Sequence, residues 1–208
     1  MKRKHLKYLK MELCKKEFLK KYPKENLLDT PSQIQNRISL INNFEYKNYK
    51  ALSPTTIILE KDRYIYKQKK YNSIKKSSYT KEEFLDVVEA LQYFETIGFI
   101  HGDINRKNII YTKDGFKIVD YEPSLVQYKD GIQQLLITPP YVDKKELKSQ
   151  RLTFKTDKIG FFYFVLRVNK RFSSYQVVKL VKSLHHKKID FDIESFSYNE
   201  ILNQALLV

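Results

Sequence analysis

Between Thr80 and Asp120 the chain carries start, stop and turn signals close enough together to dictate a capped helix, a polar loop and a two-stranded ribbon, in that order. Thr80-Lys81-Glu82-Glu83 reads as a capping box, and Phe84, Val87, Val88, Leu91 and Phe94 follow at helical spacing. Gly98 predicts the stop. Asn108-Ile109-Ile110-Tyr111 and Phe116-Lys117-Ile118-Val119 are β-rich runs joined by Thr112-Lys113-Asp114-Gly115, and Asp-Gly between such runs is a hairpin signal. Folding the ribbon at that turn sets Asn108, entering the first strand, beside Asp120, leaving the second.

An amide oxygen and a carboxylate therefore converge at the open end of the ribbon. Hard divalent cations such as magnesium take oxygen ligands and fill the rest of their shell with water and substrate phosphates, so two protein oxygens suffice. Asp103 lies five residues before Asn108 in the polar loop. Its carboxylate can face the same space without being a ligand, where it can accept a proton from an attacking hydroxyl.

The run His101-Gly102-Asp103-Ile104-Asn105-Arg106-Lys107-Asn108, followed by Asp120-Tyr121-Glu122, resembles the catalytic loop H-R-D-x-x-x-x-N and the D-F-G motif of the protein-kinase-like superfamily. The resemblance implies that Asp103 is the catalytic aspartate, that Asn108 and Asp120 are the metal ligands, and that the cofactors are ATP and Mg2+. It also implies an α+β, two-lobed protein-kinase-like fold in one domain. A reduced small lobe would cover about residues 1–72 and a truncated, mainly helical large lobe about residues 73–208.

The flanks extend the likeness over about residues 55–167. Thr55 to Leu59 and Arg63 to Lys67 read as two strands, and Tyr71 to Ser78 as a polar linker, similar to the last small-lobe strands and the hinge that faces adenine. Thr138-Pro139-Pro140-Tyr141 resembles the T-P-x-Y that ends an activation segment, with Glu146 near the glutamate of A-P-E. Thr156-Asp157 followed by Ile159 to Val165 resembles the capped, apolar helix at the centre of the large lobe.

Departures from the family pattern shape the functional expectation. The first glycine is Gly98, so no glycine-rich phosphate loop exists, and side chains from the basic N-terminal region must supply phosphate affinity. Phe18-Leu19-Lys20-Lys21 is a poor version of V-A-I-K, with Lys20 the expected nucleotide-binding lysine and Lys67 the fallback. A helix from about Ser32 to Phe44, with Ile34, Ile38 and Leu40-Ile41 inward, puts Arg37 where the family has a glutamate. Gly102 replaces the arginine that receives a phosphorylated activation loop, as in sugar and antibiotic kinases, and Glu122 resembles the D-F-E of choline- and aminoglycoside-kinase relatives. The T-P-x-Y-like segment and the Asp157 helix favour a protein substrate. A minimal Ser/Thr-type protein kinase is the leading expectation. The alternatives are a small-molecule or sugar kinase (choline, aminoglycoside or lipopolysaccharide kinase-like) and a pseudokinase scaffold.

Charge bounds the partners: 39 Lys+Arg against 24 Asp+Glu give a formal net charge of +15, and residues 1–24 hold ten basic residues against two acids. A basic face suits a nucleotide, an acidic partner protein that activates the chain, or an anionic surface, and a lysine-rich solvated surface would look the same. Leu6, Leu9 and Leu13 could line one face of a membrane-resting helix or cover a core. No zinc-finger, RNA-recognition or helix-turn-helix pattern is present, so specific nucleic-acid binding is not expected. Cys14 is the only cysteine, which excludes an intramolecular disulfide. The longest apolar run, Phe161 to Leu166, is too short to span a bilayer, and the N-terminus lacks the apolar core of a secretory signal. A cytoplasmic protein is expected. Beyond Val168 two short helices are expected, one after Ser173-Ser174 and one opened by Ser197-Tyr198-Asn199-Glu200, while His185-His186 lacks the clustered partners of a metal site.

Overall fold

The computed structural model describes residues 17–23, 31–61, 63–121, 126–129, 132–135, 152–169, 176, 179 and 193–207. In chain order the elements are β1 (Glu17–Pro23), α1 (Pro31–Asn42), β2 (Thr55–Leu59), β3 (Arg63–Lys69), α2 (Lys81–Thr96), β4 (Ile109–Thr112), β5 (Gly115–Ile118), β6 (Val126–Lys129), β7 (Ile132–Leu135), α3 (Phe154–Val168) and α4 (Tyr198–Leu207). The architecture is α+β: an antiparallel sheet ordered β1-β3-β2, and two separate hairpins, β4-β5 and β6-β7.

The three-stranded sheet forms because β3 alternates cleanly. Tyr64, Tyr66 and Gln68 are buried on one face, while Arg63, Ile65 and Lys67 lie on the other, the period of two that a half-buried strand requires. Ile57 of β2 shares the buried face, and α1 covers it with Ile34, Ile38 and Ile41, spaced so that they fall on one side of a helix. At the free side of β2, the Asn42 amide takes over the role of a neighbouring strand. Its Oδ1 accepts from the Ile57 N–H at 2.7 Å and its Nδ2 donates to the Ile57 carbonyl at 3.0 Å. The edge is thereby closed to further pairing at that residue.

Helix α2 begins and ends at the expected residues, because its start is fixed by chemistry within one turn: the Thr80 N–H donates to Glu83 Oε2 at 2.9 Å. Phe84, Val87, Val88, Leu91 and Phe94 are all buried. The C-terminal pair repeats the device, with Ser197 N donating to Glu200 Oε2 at 2.7 Å ahead of α4. The other predicted boundaries shift modestly. Helix α1 ends at Asn42 rather than Phe44, and β3 runs on to Lys69. The cap of α3 is Thr153, whose side chain accepts from Lys155 N, so Thr156 and Asp157 lie inside the first turn. The hairpin β6-β7 was not expected, although its strands are separated by Asp130-Gly131, the same dipeptide that joins β4 to β5.

Aromatic packing joins these layers. Phe44, just beyond α1, sits 4.8 Å from Phe99, 5.2 Å from Phe94 and 5.4 Å from Tyr121 between ring centroids. Phe116 of β5 meets Phe84 of α2 at 5.2 Å and Phe164 of α3 at 5.4 Å. Such ring pairs add about 0.5–1.5 kcal/mol each beyond their burial, so the ribbon is clamped between helices rather than laid on a surface. Its second strand is also tied to the segment ahead of β2, where Ile118 N donates to the Ala51 carbonyl at 2.7 Å. The ribbon's open end is thus held between the sheet and the helical layer.

Among the described residues no helix is long and apolar enough to cross a membrane. Glu122, Thr138 to Tyr141, Glu146, His185-His186, the leucines of the N-terminus and residues 170–175, 177–178 and 180–192 lie outside the described residues.

Candidate active site

The loop from Ile100 to Asn108 has almost no regular structure of its own, and its shape is imposed by three surrounding elements. Helix α3 supplies Asp157, fully buried, whose two carboxylate oxygens accept the N–H groups of His101 and Gly102, each at 2.7 Å. Helix α1 supplies Arg37, whose guanidinium donates to the Ile100 carbonyl at 2.8 Å and the His101 carbonyl at 3.5 Å and lies 4.3 Å above the Phe99 ring. The ribbon supplies Val119, whose carbonyl lies 2.9 Å from His101 Nε2. The Asp157 and Arg37 bonds run to backbone atoms of the loop, which fixes its path there whatever side chains it carries, while the ribbon holds the His101 ring.

Gly102 has a reason of its own. Its φ is +82°, a left-handed conformation that costs side-chain-bearing residues about 1–2 kcal/mol, and its N–H is committed to Asp157. An arginine here would fight the backbone.

Asp103 and Asn108 come together directly. Asn108 Nδ2 donates to Asp103 Oδ2 at 2.7 Å and to the Asp103 carbonyl at 2.9 Å. Asn105 Nδ2 donates to Asp103 Oδ1 at 2.7 Å, and Asn105 Oδ1 in turn accepts the Lys107 N–H at 2.7 Å. The Asp103 carboxylate is therefore gripped from both sides by amides, which leaves it a fixed direction but still leaves lone pairs to accept a proton. With its nitrogen committed, Asn108 can turn only its Oδ1 to a cation.

Asp120 arrives by the ribbon register. Ile109 pairs with Ile118, and Val119 N donates to the Asn108 carbonyl at 2.8 Å, so Asn108 stands opposite Val119 and Asp120 is the next residue out. Asp120 is the only non-glycine residue with positive φ among those described, at +65°. Its N–H donates to Gln68 Oε1 at 3.1 Å, and the next N–H, that of Tyr121, donates to the Tyr66 hydroxyl at 2.9 Å. The chain thus leaves the ribbon's extended path at Asp120, two residues after β5 ends.

Lys20 and Lys67 take different positions. Lys20 pairs with the fully buried Tyr66 in the β1-β3 register, and Phe18 pairs with Gln68. Lys67 sits on the opposite face of β3, beside Thr56 and Ile58, at a cavity of about 750 Å³ that none of Asp103, Asn108 and Asp120 lines.

Sequence reasoning named Asp103, Asn108 and Asp120 but missed what holds them: the bonds of Arg37 and Asp157 to the loop backbone and of Gln68 and Tyr66 to the backbone of Asp120 and Tyr121. No local signal marks them, because a polar residue in a helix or strand looks the same whether it faces water or a distant carbonyl. Among the described residues no three His, Cys, Asp or Glu side chains cluster in a way that would cage a metal ion. A cation here would rest on the Asn108 and Asp120 oxygens together with phosphates, a donor set that suits magnesium. Comparison with family models and with curated proteins returns no match to this chain.

The buried acid beneath the loop carries a pH signature. Burial pushes the Asp157 carboxyl from an ordinary 3.8 up to about 6, although His101, the two N–H groups and Arg37 all pull the other way. The folded state therefore prefers the protonated group. Its stabilising contribution is complete below pH 3.8 and is lost as pH rises through about 6. A shift of about two units corresponds to roughly 3 kcal/mol. Asp157→Asn, which cannot titrate, should gain about that much on the parent between pH values near 4 and near 7. Denaturant unfolding of both proteins at the two pH values measures it, and a stability difference that stays constant would refute the assignment.

Proposed function

We propose that this chain is an ATP-dependent phosphotransferase of two-lobed, protein-kinase-like architecture that moves the γ-phosphoryl group to a hydroxyl. The observation that carries the reading is the Asp103–Asn108 pair, in which the Asn108 amide nitrogen fixes the direction of the carboxylate and leaves its Oδ1 for a cation. Asp103 orients the acceptor hydroxyl and takes its proton. Asn108 and Asp120 hold magnesium, which when bound neutralises charge on the phosphates. Positioning and electrostatics supply most of the barrier reduction, because phosphoryl transfer has a loose transition state that asks for little covalent help.

The sheet order β1-β3-β2, with α1 on its buried face and the irregular segment Lys70 to Thr80 leading into α2, is compatible with a small sheet lobe joined by a hinge to a helical lobe. Lys20, at its register position opposite Tyr66, is the nucleotide-binding lysine of this reading. The acceptor is a protein hydroxyl. A small-molecule or sugar acceptor is the second reading, favoured by the left-handed Gly102, which leaves no basic side chain at that place to receive a regulatory phosphate.

Magnesium-ATP should raise the apparent stability of the folded chain, by about 2.7 kcal/mol at a nucleotide concentration a hundredfold above Kd. Asp120→Asn keeps a residue that tolerates positive φ while removing the charge, so it should lose the magnesium-dependent part of that shift. Thermal melts with and without magnesium test both points. If the parent shows no shift at millimolar nucleotide, the chain is a scaffold rather than a transferase. Labelled ATP offered with a mixed protein substrate and, separately, with saccharides and hydroxylated metabolites then separates the two acceptor classes.

A further inference from the structure

Two side chains on the buried face of β3, two residues apart, take two successive N–H groups of the segment that presents Asp120. We infer that Tyr66 and Gln68 are positioning residues, which hold the Asp120 backbone in its left-handed turn and so aim its carboxylate at the cation. The inference rests on the reading of Asp120 as a metal ligand and extends it to two side chains of the sheet.

The orientation of Gln68 is set by its surroundings. The side chain is 3 % exposed, so its amide must find partners inside the protein. Thr55 Oγ1 donates to the Ser53 carbonyl at 2.8 Å and must therefore accept from Gln68, which it does from Nε2 at 2.7 Å. That assignment leaves Gln68 Oε1 facing the other way, where it accepts the Asp120 N–H at 3.1 Å. The amide has one orientation because only one satisfies both neighbours.

Tyr66 completes the grip. Its ring is fully buried and its hydroxyl accepts the Tyr121 N–H at 2.9 Å. The Tyr121 side chain then returns the connection to the sheet, since its hydroxyl donates to the Ile118 carbonyl at 2.6 Å and accepts the Ser53 N–H at 2.9 Å. Ser53, Thr55, Gln68, Asp120, Tyr121 and Tyr66 form a closed, buried circuit between the sheet and the end of the ribbon.

Such a circuit does more than stabilise. A residue with a side chain relaxes out of positive φ unless its surroundings over-determine that conformation, and here the two consecutive N–H groups are the points of restraint. Remove either acceptor and the turn can relax toward an extended path, which swings the carboxylate away from Asn108. The consequence is specific: the sheet controls cation affinity through two side chains, not through general compactness. Outer partners of metal ligands typically change metal affinity by about 10- to 100-fold when removed.

The test uses the full chain with ATP and magnesium as probes. Gln68→Met keeps the volume and loses the acceptor, and Tyr66→Phe removes one hydroxyl and nothing else, so at least one of them should fold. At a temperature well below melting, both should need roughly 10-fold more magnesium than the parent for half-maximal ATP binding, while ATP affinity without magnesium stays the same. Amide exchange followed by NMR should quicken at Asp120 for the first variant and at Tyr121 for the second, whether or not nucleotide is present. If the parent binds ATP with a clear magnesium dependence and neither variant changes it, the positioning role is wrong and the transferase reading stands. If the parent shows no magnesium dependence while amide exchange responds as stated, the ligand reading of Asp120 fails and takes the inference with it.

Discussion

Asp103→Asn is expected to lower phosphoryl transfer by about 10²- to 10⁴-fold, the usual contribution of a positioned general base, while leaving magnesium-ATP binding intact. The change removes the only carboxylate of the loop in a place where Asn105 and Asn108 aim their amide nitrogens at it. An asparagine there can offer one oxygen to two donors, so one of the flanking amides loses an acceptor and the loop loosens locally. The bonds from Asp157 and Arg37 do not involve that side chain and should keep the path of the loop. The thermal shift with magnesium-ATP separates a lost base from a lost site. Turnover equal to that of the parent would overturn the mechanism, and loss of both turnover and nucleotide binding would assign Asp103 a structural role instead.

Gly160→Ala should damage both stability and activity from a buried position inside α3. Gly160 lies in α3 with the loop packed against it, and a Cβ added there would meet the Ile104 carbonyl oxygen at 2.5 Å and the Ile104 Cβ at 3.0 Å. The obstacle is backbone, not the end of a flexible side chain, so either α3 or the loop must move. Overpacking of this kind costs about 1–3 kcal/mol, and the upper end is expected because Ile104 is itself buried and cannot step aside. Ile104 directly follows Asp103 in the chain. A displacement approaching 1 Å at the base can cost on the order of 10²-fold in rate, so turnover should fall by more than the stability loss explains at a temperature where the protein remains folded. Denaturant unfolding gives the first quantity and single-turnover transfer the second. An alanine variant with parental values of both would mean that the helix and loop are not in the contact described.

The coupling seen at Gly160 recurs around the loop. Arg37 reaches Ile100 across 63 residues of chain, Asp157 reaches His101 across 56, and Gln68 reaches Asp120 across 52. Loops that carry chemistry are usually held by a rigid scaffold, and here the scaffold acts almost wholly through side chains that bond loop backbone. That arrangement explains why the loop residues could be singled out from the sequence while their supports could not. The motif residues must have particular chemistry at particular spacing. The supports need only a donor or acceptor at the right point in space, and nothing in a sequence window announces where that point is.

Short-range chemistry accounts for what was legible. The pairs Thr80–Glu83 and Ser197–Glu200 close within one turn, and the turn after Thr112 is made by two residues, Lys113 and Asp114, so helix starts and the β4-β5 hairpin follow from their own sequence. The ribbon register set Asn108 near Asp120 for the same reason. The cap of α3 is Thr153 and not Thr156, three residues later, since both threonines are good candidates locally; with Thr153 outside, Asp157 lies in the first turn and bonds the loop.

The amino-acid sequence by itself determined the helices with reciprocal caps, the hairpin and the spacing of Asp103, Asn108 and Asp120, since each depends on atoms a few residues apart. Only the tertiary structure decided that Arg37 braces the loop, that Asp157 is buried beneath it with its carboxyl pushed up to about 6, and that Gln68 and Tyr66 hold the turn at Asp120. Those outcomes are set by burial: once a layer closes over a backbone N–H or carbonyl, a partner must be found wherever the fold has brought one, and sequence distance no longer counts.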